Sequence, residues 1–235
     1  MSPLHTDKEY EAELARLREH LLLMGAHVES QLTAALTSLA TRDAEAASGI
    51  TGRDAEIDKI EIKIDEACVE LLATRQPVAK DLRFVLTSLK VVTDLERIGD
   101  LAGKVARLVM DGINVVDGEA QRQTDELGRA VTAMLRDAID ALVESDIYKA
   151  EAVIKRDDAV DESCAALLKL IAQGIRQDVQ RVEDYLRLHT VARSIERIGD
   201  HCTNVAEMVV FLVRGQHVRH LRHSVWMHKE PEKLH

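Results

Sequence analysis

Apolar residues recur at intervals of three and four along almost the whole chain. This spacing places them on one face of an α-helix, and no run shows the strict alternation of a β-strand. Because the intervening segments are short, consecutive helices are expected to run antiparallel. The pattern predicts six helices, over about residues 7–41, 44–74, 77–111, 121–144, 147–173 and 177–214.

The chain contains one pentapeptide twice, since ERIGD occupies both residues 96–100 and residues 196–200. The likeness continues at the same displacement through the apolar positions of residues 86–109 and 186–209. A long internal repeat is typical of a duplicated structural unit. We therefore expect an all-α fold with two tandem antiparallel three-helix bundles, residues 7–114 and 118–215, and a C-terminal tail over residues 216–235.

The composition fits helices and limits the partners. Hydrophobic residues make up 46% of the chain and aromatic residues 3%, and the formal net charge is -10. Nucleic acids and anionic membrane surfaces are bound through Lys and Arg, so neither is an expected partner. Metal ions or cationic partners fit the charge better.

The cysteines and the lengths of the apolar runs indicate the cellular compartment of the protein. Cys68, Cys164 and Cys202 are odd in number and widely spaced, which indicates neither a disulfide framework nor a thiolate zinc site. No stretch approaches the roughly 18 apolar residues of a membrane span, and the N-terminus lacks a signal-peptide pattern. We expect a cytoplasmic protein that meets membranes only through its partners.

Acidic pairs lie beside the apolar stripes of the third and sixth predicted helices. Glu96 and Asp100 are four residues apart and share one helix face, and the repeat places Glu196 and Asp200 in the same way. Asn204 extends the second row by one turn. The first half has Lys104 at the matching position, where its ammonium is expected to weaken cation binding.

The second and fifth predicted helices carry acids at positions where their stripes require apolar side chains. Reversal of the chain near residues 76–77 brings Glu96 and Asp100 close to Asp54 and Asp58. Reversal near Gln177 brings Glu196 and Asp200 close to Asp157. Each half can thus assemble four carboxylates. The candidate pairs on these helices are Asp54 with Asp58, Glu61 with Asp65, and Asp157 with Asp161.

Close carboxylates repel one another unless protons, arginines or metal ions compensate them. Oxygen ligands without His or Cys favour Mg, Mn, Ca or Fe over structural Zn. The alternative is a solvated acidic face whose members pair with flanking arginines. Those arginines are Arg53, Arg97, Arg156 and Arg197.

Two further features give expectations of their own. Gly99 and Gly199 lie in mid-helix, where glycine costs about 1 kcal/mol relative to alanine, so they indicate close helix approach. The tail carries His217, His220 and His223, which indicate either a loosely docked end or adventitious binding of transition metals.

These motifs resemble the PhoU family of bacterial phosphate-signalling regulators. The likeness spans about residues 10–215, and its most specific elements are residues 94–100, 194–200, 75–83 and 64–68. It implies two three-helix bundles, a homodimer and multinuclear metal clusters on Glu/Asp-x-x-x-Asp motifs. It also implies a cytoplasmic negative regulator that connects the ATPase subunit of the Pst phosphate transporter to a phosphate-sensing histidine kinase.

By position, the family's metal motifs correspond to Glu96 with Asp100, Glu196 with Asp200, and Asp157 with Asp161. On the second helix, Asp54 with Asp58 and Glu61 with Asp65 both remain candidates. The metal remains open among Fe, Mn, Mg and Zn.

Two other classes compete with this reading. A ferritin-like di-iron enzyme also builds carboxylate sites in helical bundles, but it uses Glu-x-x-His pairs, and this chain has one only at Glu232 and His235. A metal-free helical adaptor fits if the acids pair with arginine alone.

Overall fold

The computed structural model describes residues 3–50, 52, 54–113 and 118–216, with the side chains of residues 3–7 and of Asp54 outside the description. The described part contains helices and no strand, which confirms the all-α prediction. A short 3₁₀ turn, Val179–Arg181, precedes the last helix. The helices are α1 Pro3–Thr41, α2 Ala44–Ser48, α3 Asp54–Arg75, α4 Ala79–Met110, α5 Gly118–Glu144, α6 Ile147–Gln177 and α7 Val182–Arg214.

The predicted continuous helix over residues 44–74 is wrong, because the chain breaks between α2 and α3. Asp43 caps α2 by accepting a hydrogen bond from the backbone N–H of Ala46 at 2.9 Å. Gly49 and Gly52 follow within one turn, and glycine has a low helix propensity. The apolar stripe crosses this break, since Ile50 is still buried.

The other predicted boundaries lie within a few residues of the observed ones. Asp146 caps α6 as expected, and its carboxylate accepts hydrogen bonds from the backbone N–H groups of Tyr148 and Lys149. Pro77 lies before α4 rather than in its first turn, because the helix begins at Ala79.

The long helices pack in two groups that share a central interface. α1, α3 and α4 contact one another, as do α5, α6 and α7, and the two groups meet where α4 packs on α7 and α1 packs on α5. Gly25 and Gly128 allow the second of these contacts, since a Cβ at either would lie within 3.2 Å of Ile139 or Leu36.

α4 and α7 run antiparallel along the centre. Nε of Arg83 near the start of α4 donates a hydrogen bond to the carbonyl of Leu212 near the end of α7, at 3.1 Å. At the opposite end, Arg187 of α7 reaches the carbonyl of Gly112 at 3.4 Å. The repeats are therefore arranged head to tail, with their hairpin turns at opposite ends of this helix pair.

The mid-helix glycines mark close approach, as predicted. A Cβ on Gly99 would lie 3.1 Å from Cδ1 of Ile57 on α3, and one on Gly199 would lie 3.2 Å from Cγ1 of Val160 on α6. These contacts set the register of α3 against α4 and of α6 against α7. They place the acidic rows of paired helices side by side.

The three cysteines are buried free thiols. Burial raises the pKa of Cys202 strongly and that of Cys68 to about 12, so these thiols stay protonated near neutral pH. None of the helices in the described ranges combines the length and apolar character that a membrane span needs.

Candidate functional site

The first candidate cluster lies between α3 and α4. Burial raises the pKa of Glu61, and the carboxylates of Asp65 and Asp58 raise it further. Burial also raises the pKa of Glu96, as do Asp100 and then Glu61 across the helix pair. The rows on α3 and α4 therefore meet, but Glu96 lies near Glu61, a member of the second candidate pair, whereas the antiparallel geometry predicted the first pair.

The structure brings members of both candidate pairs of α3 into this cluster. Asp58 belongs to one pair, Glu61 and Asp65 to the other, and all three interact electrostatically. Glu61 is half-buried, whereas Asp58 and Asp65 remain exposed. The side chain of Asp54 lies outside the described residues, so its part in the cluster stays a prediction.

Arginine compensates the first cluster only in part. Arg97 lies 3.4 Å from Oε2 of Glu96 and 3.5 Å from Oδ2 of Asp100, while its own side chain is 59% exposed. Ion pairs that open to solvent contribute little, about 0 to 1 kcal/mol. The pKa of Glu96 remains raised despite this neighbour.

The second cluster lies between α6 and α7. Asp200 still contacts solvent, yet partial burial together with Glu196, Asp157 and Asp161 raises its pKa to about 6. Asp157 also accepts a hydrogen bond from the Thr203 hydroxyl at 3.1 Å. The four predicted acids of this half are thus close enough to repel one another.

Glu196 is the most constrained member of the second cluster. Its Oε1 accepts a hydrogen bond from Arg193 at 2.8 Å. Its Oε2 is buried, and among the described residues it has no hydrogen-bond partner. A buried carboxylate oxygen without a donor is costly, and a cation would satisfy it.

The arginine-paired alternative is met as predicted by Arg97, which pairs with Glu96 and Asp100, but the arginines beside the second cluster differ from the prediction. Arg156 turns away from the cluster and bonds to Asp137 on α5. Arg193, which the sequence reading did not select, pairs with Glu196. Arg53 lies outside the described residues. Arginines therefore cover part of each cluster and leave several carboxylates facing one another.

Asn204 does not extend the carboxylate row. Its amide Nδ2 donates a hydrogen bond at 3.1 Å to Oδ1 of Asp94 on α4, and Nδ1 of His201 lies 2.8 Å from the same oxygen. We therefore withdraw Asn204 from the candidate ligands. Lys104 is exposed, and the weaker cation binding expected from its ammonium stays a prediction.

The clusters differ at a position that the sequence reading did not compare. Ile57 and Val160 occupy equivalent places against Gly99 and Gly199, so Glu61 corresponds to Cys164, four residues further along. Burial raises the pKa of the Cys164 thiol, and the Glu196 carboxylate raises it further. The first cluster has a carboxylate where the second has a buried thiol.

The donor sets fit hard metal ions, which prefer carboxylate oxygens. Repulsion among the acids and the unsatisfied oxygen of Glu196 both favour a bound cation. In the described ranges, no three acidic, histidine or cysteine side chains already converge as a metal site.

Comparison with known proteins identifies the fold and the repeat. The PhoU domain family model matches this chain twice, at residues 21–109 and 124–209. The phosphate-specific transport system accessory protein PhoU of Serratia marcescens is 36% identical over 217 residues, which cover 92% of this chain and 89% of that protein. The PhoU homolog of Pseudomonas aeruginosa is 39% identical over 220 residues, covering 92% and 90%.

Solved structures of PhoU proteins have the same fold as this chain. The crystal structure of PhoU from Pseudomonas aeruginosa superposes with a TM-score of 0.84 at 37% identity, covering 88% of this chain and all (100%) of that chain. The phosphate transport system regulatory protein PhoU from Streptococcus pneumoniae gives 0.82 at 28% identity, covering 89% and 99%. With its repeat, its paired acidic helices and these matches, the chain belongs to the PhoU family.

Proposed function

We propose that this chain is an accessory protein of a phosphate transport system and regulates phosphate uptake. The observation that carries the proposal is the similarity, over 92% of the chain, to proteins named as accessory proteins of the phosphate-specific transport system. The matched length includes both halves and both acidic clusters. The broad helical surfaces suit a role in binding other proteins.

The finer role is negative regulation of phosphate-starvation signalling. In this proposal the chain, as a cytoplasmic homodimer, bridges the ATPase subunit of the transporter and a phosphate-sensing histidine kinase, and it meets the membrane only through them. Its net charge of -10 argues against direct binding to anionic lipid or nucleic acid. Partner contacts must then come from the helical surfaces.

Metal ions belong to the same proposal. Asp58, Glu61, Glu96 and Asp100 would hold ions in the first half, and Asp157, Asp161, Glu196 and Asp200 would hold them in the second. A bound cation would supply positive charge that cancels carboxylate repulsion and ties α3 to α4 and α6 to α7. The raised pKa values of Glu96 and Asp200 support this assignment.

The role we propose is not enzymatic. Relatives are named accessory or regulatory proteins. The positions three residues after Glu96 and Glu196 are glycines, where a di-iron enzyme of the ferritin type needs histidines. Glu232 and His235 lie outside the described residues. A metal-free adaptor remains the second candidate, favoured by the ion pair of Arg193 with Glu196.

Gene deletion tests the regulatory proposal. We expect the deletion strain to express phosphate-scavenging genes even when phosphate is plentiful, and a copy of the wild-type gene to restore repression. A matched copy that encodes Glu162→Gln, an exposed change on α6 outside the cluster set, should restore repression equally. Normal repression in the deletion strain, with no paralogue present, would overturn the proposal.

A further inference from the structure

The chain beyond α7 has a composition unlike that of the body. In residues 217–235, Lys and Arg outnumber Asp and Glu by two, so with a chain total of -10 the rest of the molecule carries -12. Residues 217–229 contain two arginines, one lysine, four histidines and no acid. Charge complementarity therefore favours contact between this segment and the body of its own chain.

The same segment has an apolar pattern. Val218, Leu221 and Val225 are spaced by three and four residues, a sequence pattern that is typical of one apolar face. Trp226 follows directly and is the only tryptophan of the chain. A basic segment with one apolar face needs an apolar surface with acidic groups beside it.

Such a surface lies where α7 ends. On α4, Arg83, Leu86 and Lys90 share one helix face. Arg83 bonds to the carbonyl of Leu212, and Nζ of Lys90 lies 6.0 Å from the ring centroid of Phe211, so Leu86 between them faces the end of α7. Leu86 is 39% exposed, and Phe211 is half-buried.

Glu207 adds an acid to this surface. It lies one turn before Phe211 on α7 and is half-buried. We refer to Leu86, Lys90, Glu207 and Phe211 as the Leu86 seam. Its apolar centre matches the apolar residues of the segment that follows α7, and Glu207 offers a carboxylate to the segment's basic side chains, while the seam's own cation, Lys90, lies over the Phe211 ring.

The ends of α4 and α7 differ in the residues that follow them. Gly112 and Gly215 both end their helices with positive φ, 79° and 72°. Directly after Gly112, Ile113 donates a backbone hydrogen bond to the carbonyl of Leu108 and is only 3% exposed. After Gly215 comes the exposed polar Gln216, so the first apolar side chains available are those of Val218 and Leu221.

The segment that follows α7 is long enough to reach Leu86. A Cβ at Gly215 would lie 3.7 Å from Nη1 of Arg83, so the segment leaves the body beside the start of α4. Leu86 is about 5 Å, or one helical turn, along α4 from Arg83. Leu221 is the sixth residue after Gly215, and six residues of extended chain span about 20 Å.

We propose that residues 217–226 dock on the Leu86 seam of their own chain, with Val218 and Leu221 against Leu86 and Phe211 and with basic side chains near Glu207. At the opposite end of the α4–α7 interface the equivalent leucine is Leu186, which is 55% exposed.

Trp226 makes the docking measurable in the full-length protein. Acrylamide quenching of its fluorescence should be several-fold weaker in the native protein than in urea. Leu221→Asp and Leu86→Asp should each bring native quenching to the unfolded level, because a carboxylate disrupts the apolar contact. Leu186→Asp, the equivalent change at the other end, should leave quenching unchanged, and circular dichroism should remain helical in all three variants.

Three outcomes would overturn the docking. The first is that Trp226 is as accessible to acrylamide in the native protein as in urea. The second is that Leu86→Asp and Leu186→Asp change the quenching equally. The third is that the protection of Trp226 disappears when the protein is diluted. The last outcome would mean that the segment docks on a second copy of the chain. Leu221 lies beyond the described residues, so Leu221→Asp keeps the test valid even if Leu86→Asp unfolds the protein.

Discussion

Asp94 on α4 and His201 on α7 form a polar contact across the centre of the molecule, with Oδ1 of the carboxylate 2.8 Å from Nδ1 of the imidazole. Asn204 donates to the same oxygen at 3.1 Å. The Asp94 side chain is only 12% exposed. The contact joins the two repeats directly, and the rest of that interface is mainly apolar.

Replacement of Asp94 by alanine should weaken the interface between the repeats. The imidazole and the Asn204 amide, both partly buried, would lose their acceptor, which costs about 1 to 3 kcal/mol in the free energy of unfolding. Urea unfolding followed by circular dichroism measures this loss. Ser194→Ala is the matched control, because among the described residues the Ser194 hydroxyl donates to a carbonyl of its own helix, so its loss should change stability less.

Removal of the Asp200 charge should stabilise the metal-free protein at neutral pH. The pKa of this carboxyl is about 6 in the folded state against 3.8 for an ordinary aspartate, so the folded state binds the proton more tightly. Folded stability therefore falls as pH rises from about 4 to about 6. Asp200→Asn removes this loss.

Unfolding in urea with a chelator present checks the sign. The variant should be more stable than the wild type near pH 7, and the difference should disappear near pH 3, below both pKa values. Glu162→Gln, on an exposed position of α6, controls for the general effect of charge removal. Equal stabilisation at both pH values would contradict the assigned cause.

Divalent metal should stabilise the protein through both clusters. At a concentration of Mn²⁺ about 100 times the dissociation constant, one site adds about 2.7 kcal/mol to the free energy of unfolding. Glu96→Ala with Asp100→Ala should remove the contribution of the first half and leave that of the second. Thermal unfolding and elemental analysis measure both.

The histidines of the tail must not contribute to that measurement. His217→Ala, His220→Ala and His223→Ala provide a background in which tail binding is removed. If the combined replacement of Glu96, Asp100, Glu196 and Asp200 in this background leaves metal content unchanged, the clusters are not the binding sites.

Gly174 near the end of α6 should not tolerate a side chain. A Cβ there would lie 2.1 Å from Cζ of Tyr185, which is itself 5% exposed. Overpacking of this kind costs about 1 to 3 kcal/mol and outweighs the gain of about 1 kcal/mol in helix propensity. Gly118→Ala, with no atom within 4 Å of the added Cβ, should be neutral or stabilising in the same unfolding assay.

The sequence predicted the helices and the meeting of the acidic rows because both follow from regular spacing. A period of three and four residues defines a helix face, and antiparallel reflection defines which positions face each other. The break before α3 was missed because the apolar stripe continues through Ile50, although Gly49 and Gly52 already signal it.

The contact of Asp94 with His201 was missed for a different reason. Side chains that join distant helices depend on register between the repeats, which spacing within one helix does not reveal. A signal was present in the repeat itself, since the equivalent of Asp94 is Ser194 and the equivalent of His201 is Leu101. Departures from a repeat mark positions where the copies face each other with different partners.

The antiparallel pairing of α4 with α7 has a consequence for evolution. In a dimer of identical chains related by a two-fold axis, every contact across the axis occurs twice. Here the register that joins Asp94 to His201 sets Ser194 opposite Leu101, so the polar contact occurs once. Covalent joining of the copies therefore freed each side of the interface to accept substitutions alone, and it gave an otherwise two-fold scaffold a distinguishable left and right.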